Sequence, residues 1–197
     1  MRICKLLDTL QSEYQQNTTF RKNGTLLLSP GRIPKAKHLL FPGLPYETID
    51  ELLVSEYKYP FPKQYRELLH HYNGANLFMF RIQKGKLEFA STNLIIFGLP
   101  RTKPFGRPAD MEEPYDVRIE DLGWHKDIPD TWLKCGCYKS AFVFGDPADL
   151  FIDTQTEQVF ACMRNDSKVL EQWETLDACL SNIFERVSQY EEVLIVQ

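Results

Sequence analysis

The chain has 197 residues, of which 43% are hydrophobic and 25% are charged, and its formal net charge at pH 7 is −4. This length and composition suffice to bury a core, which excludes a disordered chain and favours one domain with an extension over two domains. No apolar run approaches the roughly 20 residues of a membrane span, and the first 20 residues lack the cleavage site of a signal peptide, so we expect a cytoplasmic protein.

The N-terminal part of the chain predicts two helices separated by an extended connection. Apolar residues first recur at helical spacing at Ile3, Leu6, Leu7, Leu10 and Tyr14. The polar segment 18–37 contains glycines and prolines and one strand-like run at 26–28, which is typical of a connection with a short edge strand. A second helix is predicted over 46–57, where acidic residues near the N-terminal end favour the helix dipole.

The stretch 52–80 contains the predicted helix with the clearest boundaries. Pro60 and Pro62 interrupt the preceding helix because proline lacks the N–H group that a continuing helix needs, and Pro62 suits the first turn of a new one. The new helix has an apolar stripe at Tyr65, Leu68, Leu69 and Tyr72. Asn73-Gly74 then predicts a left-handed helix C-terminus.

Beyond Gly74 the pattern predicts short strands without crossover helices. The strand-like runs cover 77–82, 87–89, 94–97, 115–119, 141–144, 150–152 and 158–162. Gly85 lies in a Gln-Lys-Gly-Lys turn, which indicates a hairpin between the first two runs. The proline-rich segment 98–114 predicts a long loop that is functional or mobile.

One amphipathic helix closes the chain. Its apolar stripe consists of Trp173, Leu176, Leu180, Phe184 and Val187, widened by Cys179 and Ile183. The predicted order is helices, then antiparallel strands, then a closing helix. This order predicts an α+β fold, in which an antiparallel or mixed twisted sheet of about six strands carries helices mainly on one face. We expect an N-terminal helix and connection at 1–41, a domain at 42–189 and a tail at 190–197.

Several motifs occur in an order that is typical of a known family. The segment 61–69 is similar to a helix motif LP-x-x-Y-x-x-x-L, and 72–75 is similar to the x-N-G-G that follows it. The segment 143–146 resembles a strand that ends in Phe-Gly, and 150–159 resembles a D-x-x-T-G-x-V hairpin with Thr-Glu in place of Thr-Gly. On these residues the chain resembles the SUKH superfamily, also called the Smi/Knr domain.

This resemblance implies a binding module rather than an enzyme. Bacterial members of the family are often immunity proteins, which bind and neutralise a polymorphic toxin, frequently a nuclease, made by the same cell. Members share no catalytic residues, so the resemblance implies neither a catalytic residue nor a cofactor in this chain. Some non-bacterial relatives are regulatory scaffolds, which leaves a scaffold protein as an alternative function.

The last third of the chain is strongly acidic. Residues 140–197 contain eleven acidic side chains and three basic ones, a net charge of −8, so residues 1–139 carry +4. This charge disfavours nucleic acid as a direct partner, because phosphate binding needs the opposite sign, and it favours a basic protein. The predicted partner-binding residues are Asp146, Asp149, Asp153 and Glu157. Acidic helix faces are also common as plain solvated surface, and that alternative stays open.

The strongest candidate for chemistry is Cys135-Gly136-Cys137 with His125 ten residues upstream. These residues predict an alternative function as a small metal-dependent hydrolase, but three ligands without a second paired motif are a poor match to zinc sites. A turn with incidental thiols is favoured, and the five scattered cysteines of the chain predict free thiols rather than a disulfide framework. We therefore expect no metal and no cofactor.

Overall fold

The computed structural model describes residues 1–29, 36–56, 61–84, 87–99, 113–115, 128–139, 148–163 and 168–194. These residues form an α+β fold, as predicted, with four α-helices and nine strands. The helices are α1 (Arg2–Glu13), α2 (Tyr46–Glu56), α3 (Lys63–His71) and α4 (Leu176–Leu194). The strands are β1 (Thr18–Phe20), β2 (Leu26–Leu28), β3 (Lys37–Pro42), β4 (Tyr72–Lys84), β5 (Leu87–Ile96), β6 (Trp132–Tyr138), β7 (Ala148–Asp153), β8 (Val159–Met163) and β9 (Val169–Trp173).

The strands form one open antiparallel sheet in which the spatial order equals the chain order, from β1 to β9. The predicted hairpin between the first two runs is confirmed, since β4 and β5 pair antiparallel from Ala75–Ile96 to Lys84–Leu87. Gly85 itself lies outside the described residues. The expectation of about six strands was too low. The pattern missed β1 and β3, which lie within and directly after the segment interpreted as a connection. It also missed β6, because its Cys-Gly-Cys run resembles a turn, and β9, because this short strand merges with the start of the closing helix pattern. The two predicted runs 87–89 and 94–97 belong to one strand, β5.

Two predicted strands, 115–119 and 141–144, lie outside the described residues apart from Tyr115, and so does most of the predicted loop 98–114. The predicted strand-like runs 150–152 and 158–162 correspond to β7 and β8. The closing helix begins at Leu176, three residues later than its apolar stripe predicts. Trp173 has the spacing of this stripe but is the last residue of β9. The apolar stripes of α1 and α3 contain fully buried leucines, as their spacing predicts.

Most of the core lies on the helix side of the sheet. The buried side chains of all four helices belong to one cluster with alternate strand residues such as Leu40, Leu150 and Val159. A second, smaller cluster contains Leu39, Phe41 and Met79. Because successive strand residues point to opposite faces, Leu39 and Phe41 lie on the face opposite to Leu40. Both faces of β3 are therefore buried.

Asn73-Gly74 does not end α3, contrary to the prediction from sequence. The helix ends at His71, and Tyr72 already has extended geometry and pairs with Pro42 of β3. Pairing with β3 thus outcompetes a left-handed cap. The Asn73 side chain instead accepts a hydrogen bond from the Leu99 N–H (2.7 Å) and donates one to the Leu99 carbonyl (3.1 Å).

The connection between β3 and α2 caps the C-terminal end of α3 instead. The N–H of Leu44 donates to the carbonyl of Leu69 in the last turn of α3 (3.0 Å). Gly43 lies directly against the same turn, where a Cβ atom would overlap the carbonyl oxygen of His70 and lie 2.7 Å from that of His71. The chain passes close enough to satisfy a helix carbonyl only because residue 43 has no side chain.

His38 is a buried histidine at an irregularity between β3 and β4. The register shifts between Lys37 and Leu39, and opposite this point Phe78 has a φ of 55°. The N–H of Phe78 donates to Nδ1 of His38 (3.3 Å), so the neutral ring carries its proton on Nε2. The ring makes edge contacts with the rings of Tyr14 and Phe78. Burial lowers the pKa of His38 from its ordinary 6.5 to about 3.

Acid is expected to destabilise the protein through His38. The folded state holds the ring neutral down to about pH 3, whereas the unfolded chain binds a proton below pH 6.5. The contribution is therefore complete above pH 6.5 and falls by about 1.4 kcal/mol per pH unit as the pH drops towards 3. Urea unfolding at a series of pH values measures this slope. His38→Asn retains an acceptor for the Phe78 N–H but cannot titrate, so an equal slope in this variant would contradict the assignment.

Candidate functional site

The four predicted partner-binding residues have different surroundings. Asp146 lies outside the described residues. Asp149, on β7, is fully buried, and its Oδ2 lies 2.8 Å from Nζ of Lys134 on the neighbouring β6. The Lys134 ammonium also lies over the ring of Phe97, 5.6 Å from its centroid. Asp149 therefore pairs inside the protein and offers no carboxylate to a partner at the surface.

Asp153 builds the turn between β7 and β8. Its carboxylate accepts hydrogen bonds from the N–H of Gln155 (2.9 Å) and from the hydroxyl of Thr156 (3.0 Å), and its carbonyl accepts one from the N–H of Glu157 (2.8 Å). Glu157 has a φ of 61°, a conformation that favours glycine. This explains why the similar hairpin motif carries Thr-Gly at this point. The turn is thus held in one conformation by its own acidic residue.

Glu157 also reaches from this turn to the start of a helix. Its Oε1 accepts a hydrogen bond from the N–H of Lys63, the first residue of α3 (3.1 Å). The first N–H groups of a helix have no partner within the helix, and a negative charge there interacts favourably with the helix dipole. The contact offsets part of the strain at Glu157, and it fixes the turn against α3.

The N-termini of α1 and α4 also have hydrogen-bond partners among the side chains of other elements. Asp177, at the start of α4, accepts hydrogen bonds from the N–H groups of Arg2 (3.0 Å) and Ile3 (2.9 Å) in α1. Gln64 of α3 in turn accepts one from the N–H of Asp177 (3.1 Å). The β7–β8 turn and the N-termini of α1, α3 and α4 therefore meet at one end of the molecule, which we call the capped end.

Further acidic residues of the last third have partners inside the fold. Glu171 accepts two hydrogen bonds from Arg186 (2.8 and 3.1 Å) and one from the hydroxyl of Tyr138 (2.6 Å). Burial opposes ionisation of Glu171, but these hydrogen bonds outweigh it and lower the pKa. Glu185 forms an ion pair with Arg2. Much of the net charge of −8 thus serves the fold, which a count of charges along the sequence could not show.

An acidic surface nevertheless remains at the capped end. Asp130 is exposed, and Asp153 and Glu157 are half-buried. The three residues lie close together, because the carbonyl of Thr131 accepts hydrogen bonds from both the N–H and the hydroxyl of Thr154 (2.9 Å each). We call Asp130, Asp153 and Glu157 the acidic turn surface. Asp130 was missed in the sequence, where it stands apart from the acidic last third.

The cysteine pair lies in a strand, so its interpretation as a turn was wrong. Cys135 and Cys137 belong to β6 and are buried, while His125 lies outside the described residues. Burial raises the pKa of the Cys135 thiol to about 12, which disfavours the thiolate that binds metals. All five cysteines are free, as predicted, and all five are buried. The described residues contain no group of three or more His, Cys, Asp or Glu side chains that could hold a metal ion.

Comparisons of the chain with family models, with curated proteins and with solved structures found no match. The resemblance to the SUKH superfamily therefore stays a prediction that depends on the order of the motifs. Among the described helices, none combines the length and the apolar character needed to cross a membrane. Within the described structure, the geometry of the capped end is the feature that bears on function.

Proposed function

We propose that the protein is a non-catalytic binding module of the SUKH type, an immunity protein that neutralises a cognate protein toxin. Two features support the proposal: the ordered motifs between residues 61 and 159, and the acidic turn surface. The partner is a basic protein, and a nuclease toxin fits this description because its own substrate is negatively charged. Binding either covers the active site of the toxin or keeps the toxin away from nucleic acid.

The single observation that carries this proposal is the fixed geometry of the acidic turn surface. Asp153 holds the turn through its hydrogen bonds, and Glu157 anchors the turn to α3. Carboxylates that are already held in place lose little freedom when a partner binds. Their combined field also steers a basic partner during diffusional encounter, which raises the association rate at low salt.

Co-expression with the protein encoded by the adjacent gene tests the function itself. We expect this chain to co-purify with that protein and to rescue cells from its toxicity. The outcome that would refute an immunity function is the absence of both binding and rescue when the two proteins are expressed at comparable levels. A scaffold protein would bind its partner without any rescue, so the two readouts separate the two functions.

The charge of the acidic turn surface can be removed without removing its hydrogen bonds. In the triple variant Asp130→Asn, Asp153→Asn and Glu157→Gln, the amide oxygens at 153 and 157 can still accept the bonds from the N–H groups of Gln155 and Lys63, and the Thr156 hydroxyl can rotate to accept a bond from the amide NH2 group at 153. We expect the association rate with the toxin to fall by about tenfold at low salt, with a weaker dependence on ionic strength. Stopped-flow or surface-binding kinetics at several salt concentrations measure both effects.

A second triple variant serves as the matched control. Glu13, Glu47 and Glu51 are exposed on α1 and α2, and their replacement by glutamine removes the same number of charges. If this control slows association as much as the first variant does, net charge rather than the acidic turn surface drives the encounter. If neither variant changes the kinetics, the interface lies elsewhere on the protein.

A further inference from the structure

Two aromatic rings stack on the face of the sheet opposite to the helices. The ring of Trp132 on β6 lies nearly parallel to that of Phe160 on β8, with 4.2 Å between the ring centroids and 9° between the planes. Their strand neighbours Leu133 and Val159 belong to the core on the helix side, so Trp132 and Phe160 point to the other face. Phe151 of β7 is fully buried beside them. Both stacked rings remain partly exposed, and we call them the aromatic pair.

The aromatic pair adjoins the acidic turn surface. Asp153 is the register partner of Trp132 across β6 and β7, and residues paired in this way have Cβ atoms about 4.5–5.5 Å apart on the same face. Asp130 lies in the turn that the hydrogen bond from the Trp132 N–H to the Pro129 carbonyl closes (2.9 Å). In the described part of the chain, neither carboxylate forms an ion pair with a basic side chain. An accessible ring and two uncompensated carboxylates therefore lie side by side.

This combination suits a guanidinium group better than an ammonium group. A guanidinium is planar and weakly hydrated, it stacks on aromatic faces, best on that of tryptophan, and its N–H groups bind carboxylates in the plane of the group. An ammonium is a compact, strongly hydrated charge that gains less from the ring. Carboxylates alone would attract either cation. The ring thus adds a preference that the charge of the acidic turn surface does not provide.

We propose that the aromatic pair, together with Asp130 and Asp153, binds an arginine side chain of the partner protein. Each carboxylate oxygen of Asp153 accepts one hydrogen bond within the turn, and a carboxylate oxygen has the capacity for a second. The guanidinium stacks on the aromatic pair and donates to these oxygens, while Asp130 adds attraction from the rim. Tryptophan and arginine are enriched among the residues that dominate interface energies, so this contact anchors the complex.

The inference rests on the proposed function only for the occupant, a basic protein. Small model compounds therefore test the site without any toxin. Nα-acetylarginine amide carries the side chain without charged termini, Nα-acetyllysine amide replaces the guanidinium by an ammonium, and Nα-acetylcitrulline amide replaces it by a neutral urea of nearly the same shape. Nitrogen–proton NMR spectra of the unmodified protein follow the indole N–H of Trp132 and the backbone amides of residues 130 and 153.

We expect the arginine compound to shift these signals with a dissociation constant on the order of millimolar, about fivefold tighter than the lysine compound. The citrulline compound should show no saturable shift, because it carries no charge. Equal binding of the arginine and lysine compounds, saturable binding of the citrulline compound, or the absence of any shift would overturn the proposal.

Two substitutions separate the ring from the charge. Trp132→Leu removes the stacking surface, and Asp153→Asn removes a charge but retains an acceptor for the Gln155 N–H. Each should raise the dissociation constant of the arginine compound by about fivefold, measured on the remaining signals. Phe20→Leu is the matched control, because it removes a ring that is 72% exposed on β1, remote from β6, and should leave binding unchanged.

Circular dichroism checks that each variant is folded. Unchanged binding in a folded Trp132→Leu or Asp153→Asn variant would contradict the proposal, and so would an equal loss in the Phe20→Leu control. If Trp132→Leu folds poorly, the comparison of the three compounds on the unmodified protein decides alone.

The toxin separates failure of this inference from failure of the proposed function. An anchor acts after the encounter, so Trp132→Leu should raise the dissociation rate of the complex by about tenfold and leave the association rate within about twofold. Rescue by this variant with an unchanged dissociation rate would overturn the arginine site and retain the immunity function. Selective binding of the arginine compound by a chain that neither binds nor neutralises the toxin would refute the immunity function and support the arginine site.

Discussion

Replacing Gly43 by alanine is expected to lower the free energy of unfolding by about 3 kcal/mol. The new Cβ atom would overlap the carbonyl oxygen of His70, which belongs to the backbone of α3 and cannot rotate away. Relief requires moving the β3–α2 connection off the helix. That movement lengthens the hydrogen bond from the Leu44 N–H to the Leu69 carbonyl and leaves the end of α3 without a cap.

Equilibrium unfolding in urea measures this effect, with Gly24→Ala as its control. Gly24 has a φ of 84°, so alanine is strained there, but its Cβ atom would meet only the side chain of Pro42 at an ordinary distance of 3.5 Å. The control should therefore cost about 1 kcal/mol from backbone strain alone. A Gly43 variant no less stable than the Gly24 variant would show that the connection moves aside freely.

Replacing Lys134 by methionine is expected to destabilise the protein by about 3–5 kcal/mol. The Lys134 and Asp149 side chains are only 15% and 1% exposed, and the ammonium lies 2.8 Å from the carboxylate. Without the lysine, a carboxylate that is only 1% exposed loses the ammonium paired with it, which is far more costly than losing a surface ion pair. The methionine side chain retains most of the volume of the lysine, so packing changes little.

A double-mutant cycle with Asp149→Asn isolates the ion pair from packing. The double variant should be more stable than Lys134→Met alone, because the asparagine leaves no uncompensated charge. Lys5→Met removes an exposed lysine from α1 and should change the stability by no more than about 0.5 kcal/mol. Additive effects of the Lys134 and Asp149 substitutions would contradict a direct electrostatic interaction.

The sequence predicts those elements of the fold whose secondary structure follows from the periodicity of apolar residues. The stripes of α1 and α3 and the antiparallel strands follow from spacing alone, and they confirm the α+β class. β6 could not be recognised in this way. Its Gly136 suggests a turn, yet the structure uses this glycine because a Cβ atom would overlap the carbonyl oxygen of Ile95 on β5. Such a close approach exists only once the sheet has formed.

The candidate site shows the same limit more strongly. Composition indicates an acidic last third, but it gives no information on which carboxylates already have partners. Lys134 and Asp149 become neighbours only through the register of β6 and β7. Glu157 and Lys63 are 94 residues apart in sequence. The acidic turn surface that remains is the part of the charge that tertiary contacts leave accessible, and Asp130 belongs to it for this reason.

The caps between helices bear on how the chain folds during its synthesis. The N–H groups of Arg2 and Ile3 find their acceptor in Asp177, which is 175 and 174 residues away. A ribosome that adds about 5–20 residues per second needs roughly 10–35 s to produce that acceptor. During this time the start of α1 remains uncapped, and its apolar stripe lacks the α4 surface against which it packs. Chains halted before α4 emerges should therefore expose this helix to proteases and chaperones, although it leaves the ribosome long before α4 does.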